Sequence, residues 1–501
     1  NYNRKIGEDF ELGAMVGHSF LKTRSRTSYI DAQNYPSPAF DVASVAANIV
    51  DASAGLSEYA IESYFARLSL AYKDRYVVNA TIRTDGSSRF APDCRWGWFP
   101  SVSVGWNVSN ESFWNAEKTD LKIRASYGRT GNQDGISNYG WQALISGGVN
   151  YGGQSGIAIS SSGNDRLTWE TADQYNAGFD LSFLGGKINM IADVYLKNTN
   201  NLLYSKPVHA TTGETSILSN IGSMRNKGVE FTINTHLNLG KVLWSSSFNI
   251  ARNVNKLTSL LEDDLLSIGA NRALKLGRTV GSWYIFRTDG IYQYDGEVPQ
   301  ALYDKGVRAG DVKYWDRNGD GNITDDDRIV TGNPNPKFSG GWNNTFKYKG
   351  LELSLFFTYS YGNDVYASWM IPGSKPGHTR SLLKAYADNR WTGPGTSDKY
   401  PRAIYSYSGW NGKNSTMYLT DGSFIRLRSV TLGYTFPQRL VSKIHLKGLR
   451  VYAQGDNVFL CSRYPGWDPE TSVNLDPRFY GEDNDGVPQP RIFKLGVNIT
   501  F

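Results

Sequence analysis

The chain has 501 residues, with 53 basic and 47 acidic side chains giving a net charge of +6. Both signs are spread along its length, so nothing marks nucleic acid as a partner. Mean hydropathy is −0.44, and no stretch reaches the ~18 consecutive apolar residues of a membrane helix. The two cysteines, Cys94 and Cys461, are too few for a disulfide framework or a metal set and read as packing residues. Five scattered histidines, His18, His209, His236, His378 and His445, show no ligand spacing.

From Asn1 a polar run leads into a strand, with no initiator Met or leader, which reads as an internal or processed piece. Period-two alternation follows at 11–21, where Leu12, Ala14, Val16, His18 and Phe20 share a side. Segments 64–72 and 76–83 form a hairpin around Lys73-Asp74-Arg75. Further strands are expected at 99–108, 121–127, 175–183, 188–196, 228–239, 242–253, 338–348, 351–361, 425–436, 449–457 and 493–501, about fourteen in all. Between them, tight turns alternate with long polar connections at 23–57, 129–166, 197–224, 256–337, 362–416 and 459–490. Short turns at one end and long loops at the other mark an up-and-down membrane barrel, whereas a sandwich or propeller spaces its turns evenly. The low hydropathy agrees, because barrel strands alternate and Trp and Tyr gather at the two interfaces.

In the last segment Phe493, Leu495, Val497, Ile499 and Phe501 share one face, with Lys494, Gly496, Asn498 and Thr500 on the other. Alone, that pattern fits the last strand of a β-sandwich as well as a barrel strand. No repeat of fixed length points to a solenoid.

Several segments together resemble the SusC/RagA family of TonB-dependent outer-membrane transporters from Bacteroidetes. They are Arg83-Thr84-Asp85-Gly86-Ser87-Ser88-Arg89-Phe90, Arg95 through Trp106, Leu121 through Gly128, Thr130-Gly131-Asn132-Gln133, and Leu167-Thr168-Trp169-Glu170-Thr171. Downstream stand Asn226 through Phe231, Gly332 through Phe338, and Tyr361-Gly362-Asn363-Asp364. The resemblance implies an all-β fold, an antiparallel up-and-down transmembrane β-barrel, of which residues 1–501 would be about the last fourteen of ~22 strands. The plug domain and TonB box would lie in an N-terminal part outside this sequence, and the piece alone would have open edges. The implied function is TonB-dependent import of oligosaccharides or oligopeptides across the bacterial outer membrane, with a SusD-like surface lipoprotein as lid. The implied partners are that lipoprotein, TonB, the remainder of the barrel and outer-membrane lipid. Phe501 would be the terminal aromatic assembly signal, with Phe493, Leu495, Val497 and Ile499 facing lipid and Lys494 and Asn498 the lumen.

The sharpest local motif is an acidic insert at 304–330 containing Asp316-Arg317-Asn318-Gly319-Asp320-Gly321-Asn322-Ile323-Thr324-Asp325-Asp326-Asp327. It matches the twelve-residue calcium loop, with oxygen donors at positions one, three and five, Gly at six, a backbone carbonyl at seven and a carboxylate at twelve. Asp316, Asn318, Asp320, the Asn322 carbonyl, Thr324 and Asp327 are the expected ligands of a structural calcium ion. Asp327 stands where a bidentate Glu is usual. The alternative is a metal-free turn rich in Asn and Asp.

No motif of a hydrolase, zinc protease, nucleotide-binding loop or redox dithiol appears, and the Asp and Ser at 85–88 lack a base, so no enzyme is expected. Trp391, Tyr405, Tyr407, Trp410 and Asn411, in the long connection before Met417, are candidate ligand contacts through stacking and amide hydrogen bonds. The rival function classes are a passive porin-like channel and a surface β-rich adhesin or binding protein.

Overall fold

The computed structural model describes residues 1–209, 211, 213–214, 216–260, 264–373, 381–404 and 409–501. Fifteen strands build one antiparallel sheet in which every hydrogen-bonded neighbour is also the neighbour in chain order. They are β1 (Tyr2–Ile6), β2 (Phe10–Gln33), β3 (Asn48–Tyr72), β4 (Tyr76–Ser87), β5 (Trp96–Asn107), β6 (Asp120–Asn132), β7 (Glu170–Phe183), β8 (Ile188–Asn200), β9 (Ser223–Leu239), β10 (Val242–Ser259), β11 (Phe338–Tyr348), β12 (Leu351–Tyr361), β13 (Phe424–Thr435), β14 (Gly448–Ser462) and β15 (Ile492–Thr500). The extra strand beyond the expected fourteen is β1, too short and polar to alternate visibly. Tight turns lie at one end of the strands. In the three-residue connection between the paired Tyr72 and Tyr76, Lys73 and Asp74 both adopt φ +50, the left-handed region that matches the twist of the flanking strands.

The chain divides into two compact units, one of residues 1–111, 123–176 and 197–224, the other of 112–122, 177–196 and 225–501. In the first, Tyr72 lies opposite Tyr76, and Tyr76 opposite Trp106, with ring centroids 6.4 and 6.3 Å apart. The same exposed face carries Leu70 opposite Val78 and Val78 opposite Val104, then a second aromatic group where Tyr64 meets His18 at 4.8 Å and Trp96 at 6.1 Å. From Tyr64 to Tyr72 is ~27 Å along a strand, close to the ~25 Å apolar band between the aromatic girdles of a membrane barrel. The opposite face is polar. Ser69 bonds Asn79 at 2.8 Å, and Arg83 grips both oxygens of Asp85 at 2.8 Å while donating to Ser63.

The second unit repeats the division. One face holds the register rows Tyr348, Leu351, Tyr434, Val451, Val497 and Phe346, Leu353, Leu432, Ala453, Leu495. On the other, Glu352 takes Lys347 at 3.0 Å and Arg450 at 2.8 Å, and Asp456 takes Lys494 at 2.6 Å. Leu495 is 89% exposed. An isolated soluble sandwich would bury that row, so the ambiguity of the last strand resolves toward a membrane face.

The buried cores lie in the connections. Expected loop 23–57 is mostly strand, because β2 and β3 pair from Phe10–Tyr72 out to Gln33–Asn48 with both faces exposed, where no apolar alternation announces them. Hairpins Leu144–Tyr151 with Gln154–Ser161, and Leu203–Pro207 with Ser216–Asn220, fill two other connections. Residues 85–87 form the end of β4. Of the two cysteines read as packing residues, Cys461 is exposed. No helix among the described residues is long and apolar enough to cross a membrane, which says nothing of strands.

Candidate functional site

The long connections of the second unit form a module with two apolar clusters. One contains Phe286, Ile291, Leu302, Val312 and Tyr314; the other contains Trp283, Ile285, Val365, Tyr366 and Tyr418. Each short strand here is stabilised by packing, since segments of three or four residues have little stability alone.

Charges buried in the module tie its segments together. Arg272, 0% exposed, donates to the carbonyls of Gly281, Phe479 and Tyr480 and stacks 4.1 Å from the Trp283 ring centroid. Burial pushes its pKa down to about 10. Gly281 sits at φ +86, where an added Cβ would come within 2.6 Å of the Pro477 carbonyl, so only glycine admits this approach of segment 476–482. Asp311 receives a two-pronged bond from Arg402 at 2.9 and 3.0 Å, a bond from Asn411 at 3.0 Å and the Arg308 amide. Tyr464 donates to Asp483 and accepts from Trp369. Burial raises the phenols of Tyr366, Tyr418 and Tyr464, and raises the Asp364 carboxyl.

Three of the expected ligand contacts belong to this frame. Trp410 packs edge-on to Tyr314 at 5.5 Å and donates its indole N–H to the Val312 carbonyl at 2.9 Å. Asn411 accepts from the Val312 amide at 2.8 Å. Trp391 donates to Gln293 and packs against the first cluster. Their polar groups are satisfied from within. Tyr405 and Tyr407 lie outside the described residues.

The acidic loop is organised by its own backbone. Asp316 accepts the Gly319 and Gly321 amides at 2.7 and 2.8 Å, Asn318 accepts Asp320 N at 3.1 Å, and Asp320 accepts Asn322 N at 2.7 Å. Asp327, 0% exposed, accepts Arg317 N and Thr324 N at 2.8 Å each. Thr324 caps the short helical turn Asp325–Asp327, and Lys305 donates to the Asn322 side chain at 2.7 Å. Each carboxylate oxygen keeps lone-pair capacity for a cation, but no three acidic, His or Cys side chains converge on one point among the described residues. The twelve-residue spacing is thus compatible with calcium, while the amides hold the loop without it.

Arg272, Asp311 and Arg426, which the sequence did not single out, are as enclosed as Asp327, and Arg402 is paired to Asp311. Nothing about a lone Arg in a polar stretch announces burial.

Residues 1–321 match the family described as TonB dependent receptor-like, beta-barrel. The chain belongs to that family. It is 30% identical over its whole length to TonB-dependent receptor P3 of Formosa agariphila, covering 51% of that protein. It is 31% identical over 88% of its length to the TonB-dependent receptor SusC of Bacteroides thetaiotaomicron, covering 43% of it. All of the chain superposes on the RagAB peptide importer in its closed-closed state with a TM-score of 0.85 at 24% identity, covering 54% of that chain. The chain thus spans about half the length of these relatives. As a TonB-dependent receptor β-barrel it is an outer-membrane protein of a transporter and receptor family, not of an enzyme family. The aromatic-banded apolar face meets lipid, the ion-paired polar face lines the lumen, and the long connections are the external loops.

Proposed function

We propose that the protein imports a bulky nutrient, an oligosaccharide or oligopeptide, across the outer membrane, driven through TonB and assisted by a SusD-like lipoprotein lid. The observation that carries this is the pairing of one lipid-type face with one ion-paired polar face, crowned by external loops with cores of their own. Such loops form a preorganised rim for capture, whereas a simple pore needs only a lining. The kinship to SusC and the likeness to the RagAB peptide importer support the same reading. The test is uptake by cells expressing the complete gene, offered oligopeptides and glucose oligosaccharides, with and without TonB. Import that persists without TonB would instead make it a passive channel.

For the acidic loop we propose a weak structural calcium site, with Asp316, Asn318, Asp320, the Asn322 carbonyl, Thr324 and Asp327 as donors. Its support is the ligand spacing and the spare lone pairs. The ion would stiffen an external loop whose shape the backbone amides already define.

A further inference from the structure

The last external loop, 463–490, is fastened to the lumen face of the wall. Arg428 is the extra residue of a bulge on β13 against β12, and across from it β14 carries its own extra residue at 457–458, where Asn457 takes φ +54. Above the bulge Ile425 and Phe459 are on the exposed lipid side, so Arg426, one residue on, points to the lumen. The bulge re-aims Arg428 to the same place. Both arginines meet loop carboxylates there. Arg426 pairs with Asp468, each only 3% exposed, and its Nε lies 2.7 Å from Glu470 Oε2, a charge contact without hydrogen-bond alignment. Arg428 pairs with Glu470 and bonds Asn457, which in turn donates to the Pro490 carbonyl at 3.0 Å. Asp468 also accepts the amides of Glu470 and Gln489. The loop's far end docks on the external module: Arg272 holds the carbonyls of Phe479 and Tyr480, and Glu482–Asp483 pairs with Tyr366 and Ala367.

Fixed at both ends, the segment nevertheless leaves Trp467, Leu475 and Val487 each more than 80% exposed, with Val473 half-exposed. Burying the Arg426–Asp468 pair, with Arg428 and Glu470 half-buried beside it, is costly and seldom the most stable arrangement, which points to the position of the loop as what the latch secures. A pinned segment with uncovered apolar side chains is a preorganised contact surface. Because it is anchored on the polar side of the wall, lipid does not reach it, and the import reading puts cargo on that side.

We propose that 463–490 is a fixed strap beside the transport path, and that Trp467, Val473, Leu475 and Val487 contact the apolar side chains of an oligopeptide cargo. Val473, Leu475 and Val487 offer a sugar neither hydrogen bonds nor a ring to stack on, whereas they match Leu- and Val-like groups, and Trp467 packs on either. This rests on the import reading.

The test uses the complete transporter with its lipoprotein in cells lacking TonB, on a background of Cys94→Ser and Cys461→Ser. Trp467→Cys and Leu475→Cys are labelled with a membrane-impermeant maleimide, with Ile157→Cys on the exposed hairpin as control. A mixture of synthetic Leu- and Val-containing oligopeptides should slow labelling at 467 and 475 about tenfold at ten times its half-protection concentration. Labelling at 157 should not change, and glucose oligosaccharides should protect nowhere. Arg426→Gln with Arg428→Gln should abolish the protection at unchanged outer-membrane abundance, whereas Arg426→Lys with Arg428→Lys, which keeps both charges, should retain part of it. Equal labelling with and without peptide, protection by the oligosaccharides, or no labelling at 467 because the rest of the protein covers it, would each overturn the strap. Because the assay needs no energised uptake, these outcomes are separate from a failure of the import reading.

Discussion

The guanidinium of Arg272 lies flat over Trp283, 4.1 Å from its ring centroid, and this pair joins the hairpin at 265–275 to the last external loop. Arg272→Leu would keep the volume but strand three carbonyls that now share one cation, at ~1–3 kcal/mol for each left unpaired. Segment 476–482 should then become protease-sensitive, while Arg272→Lys, a point charge without the planar fork, should recover only part of the protection. Cleavage mapping on intact cells reads both.

The buried phenols set an alkaline limit. Tyr366, Tyr418 and Tyr464 titrate above their unfolded value near 10, so the stability they contribute is present below that pH and erodes as pH rises beyond it. Arg272 works the other way. Its folded pKa of about 10 against 12.5 means the unfolded chain binds more protons between those values, which raises stability there. Three groups oppose one, so the external module should unfold as pH climbs above 10. Ultraviolet phenolate absorbance should show these three tyrosines ionising only with unfolding; their free titration in folded protein would contradict the packing.

The two faces of β15 should respond oppositely to charge. Leu495→Lys places an ammonium on the lipid face and should cost ~2–4 kcal/mol near the bilayer centre, whereas Asn498→Lys, on the lumen face beside Arg450, should cost far less. Denaturant titration of the complete transporter in lipid vesicles separates them, and equal costs would mean the faces are misassigned.

Trp410→Ala removes an edge-on ring contact and the bond to Val312, and Asn411→Ala leaves the Val312 amide unpaired. Each should destabilise the module by ~2–4 kcal/mol. Ligand affinity measured on the fraction that remains folded should be unchanged, because both side chains bond inward.

Calorimetric titration of the metal-stripped full-length transporter should give calcium binding in the millimolar to micromolar range, lost in Asp316→Ala and Asp320→Ala. Identical isotherms in those variants would remove the loop as a site. Asp327→Ala should also loosen the loop without any metal, since it strips the caps from Arg317 N and Thr324 N.

Legibility followed physics. Where a strand separates lipid from a polar lumen, its side chains must alternate, and 76–83, 493–501 and the end of β3 at Tyr72 did so plainly enough to be found within a few residues. The outer half of the β2–β3 hairpin has water on both faces, and β1 is five residues long with Arg4 on the side of Leu12 and Leu70, so no periodicity marks either. The aromatic residues at 391 and 410 were legible as important but not as internal, because stacking on a ligand and packing on Tyr314 ask for the same side chain.

The sequence by itself determined the all-β class, the strand order and which residues share a face, because alternation and turn chemistry are local and periodic, and its motifs carried the kinship. Only the tertiary structure decided that the cores lie in the loops, that the carboxylates of the acidic loop turn onto its own amides, and that Arg426 and Arg428 hold the last loop to the wall. Those arrangements join residues such as Arg426 and Asp468, or Arg272 and Tyr480, far apart along the chain. Whether a charge is buried depends on what folds over it, which no local pattern encodes.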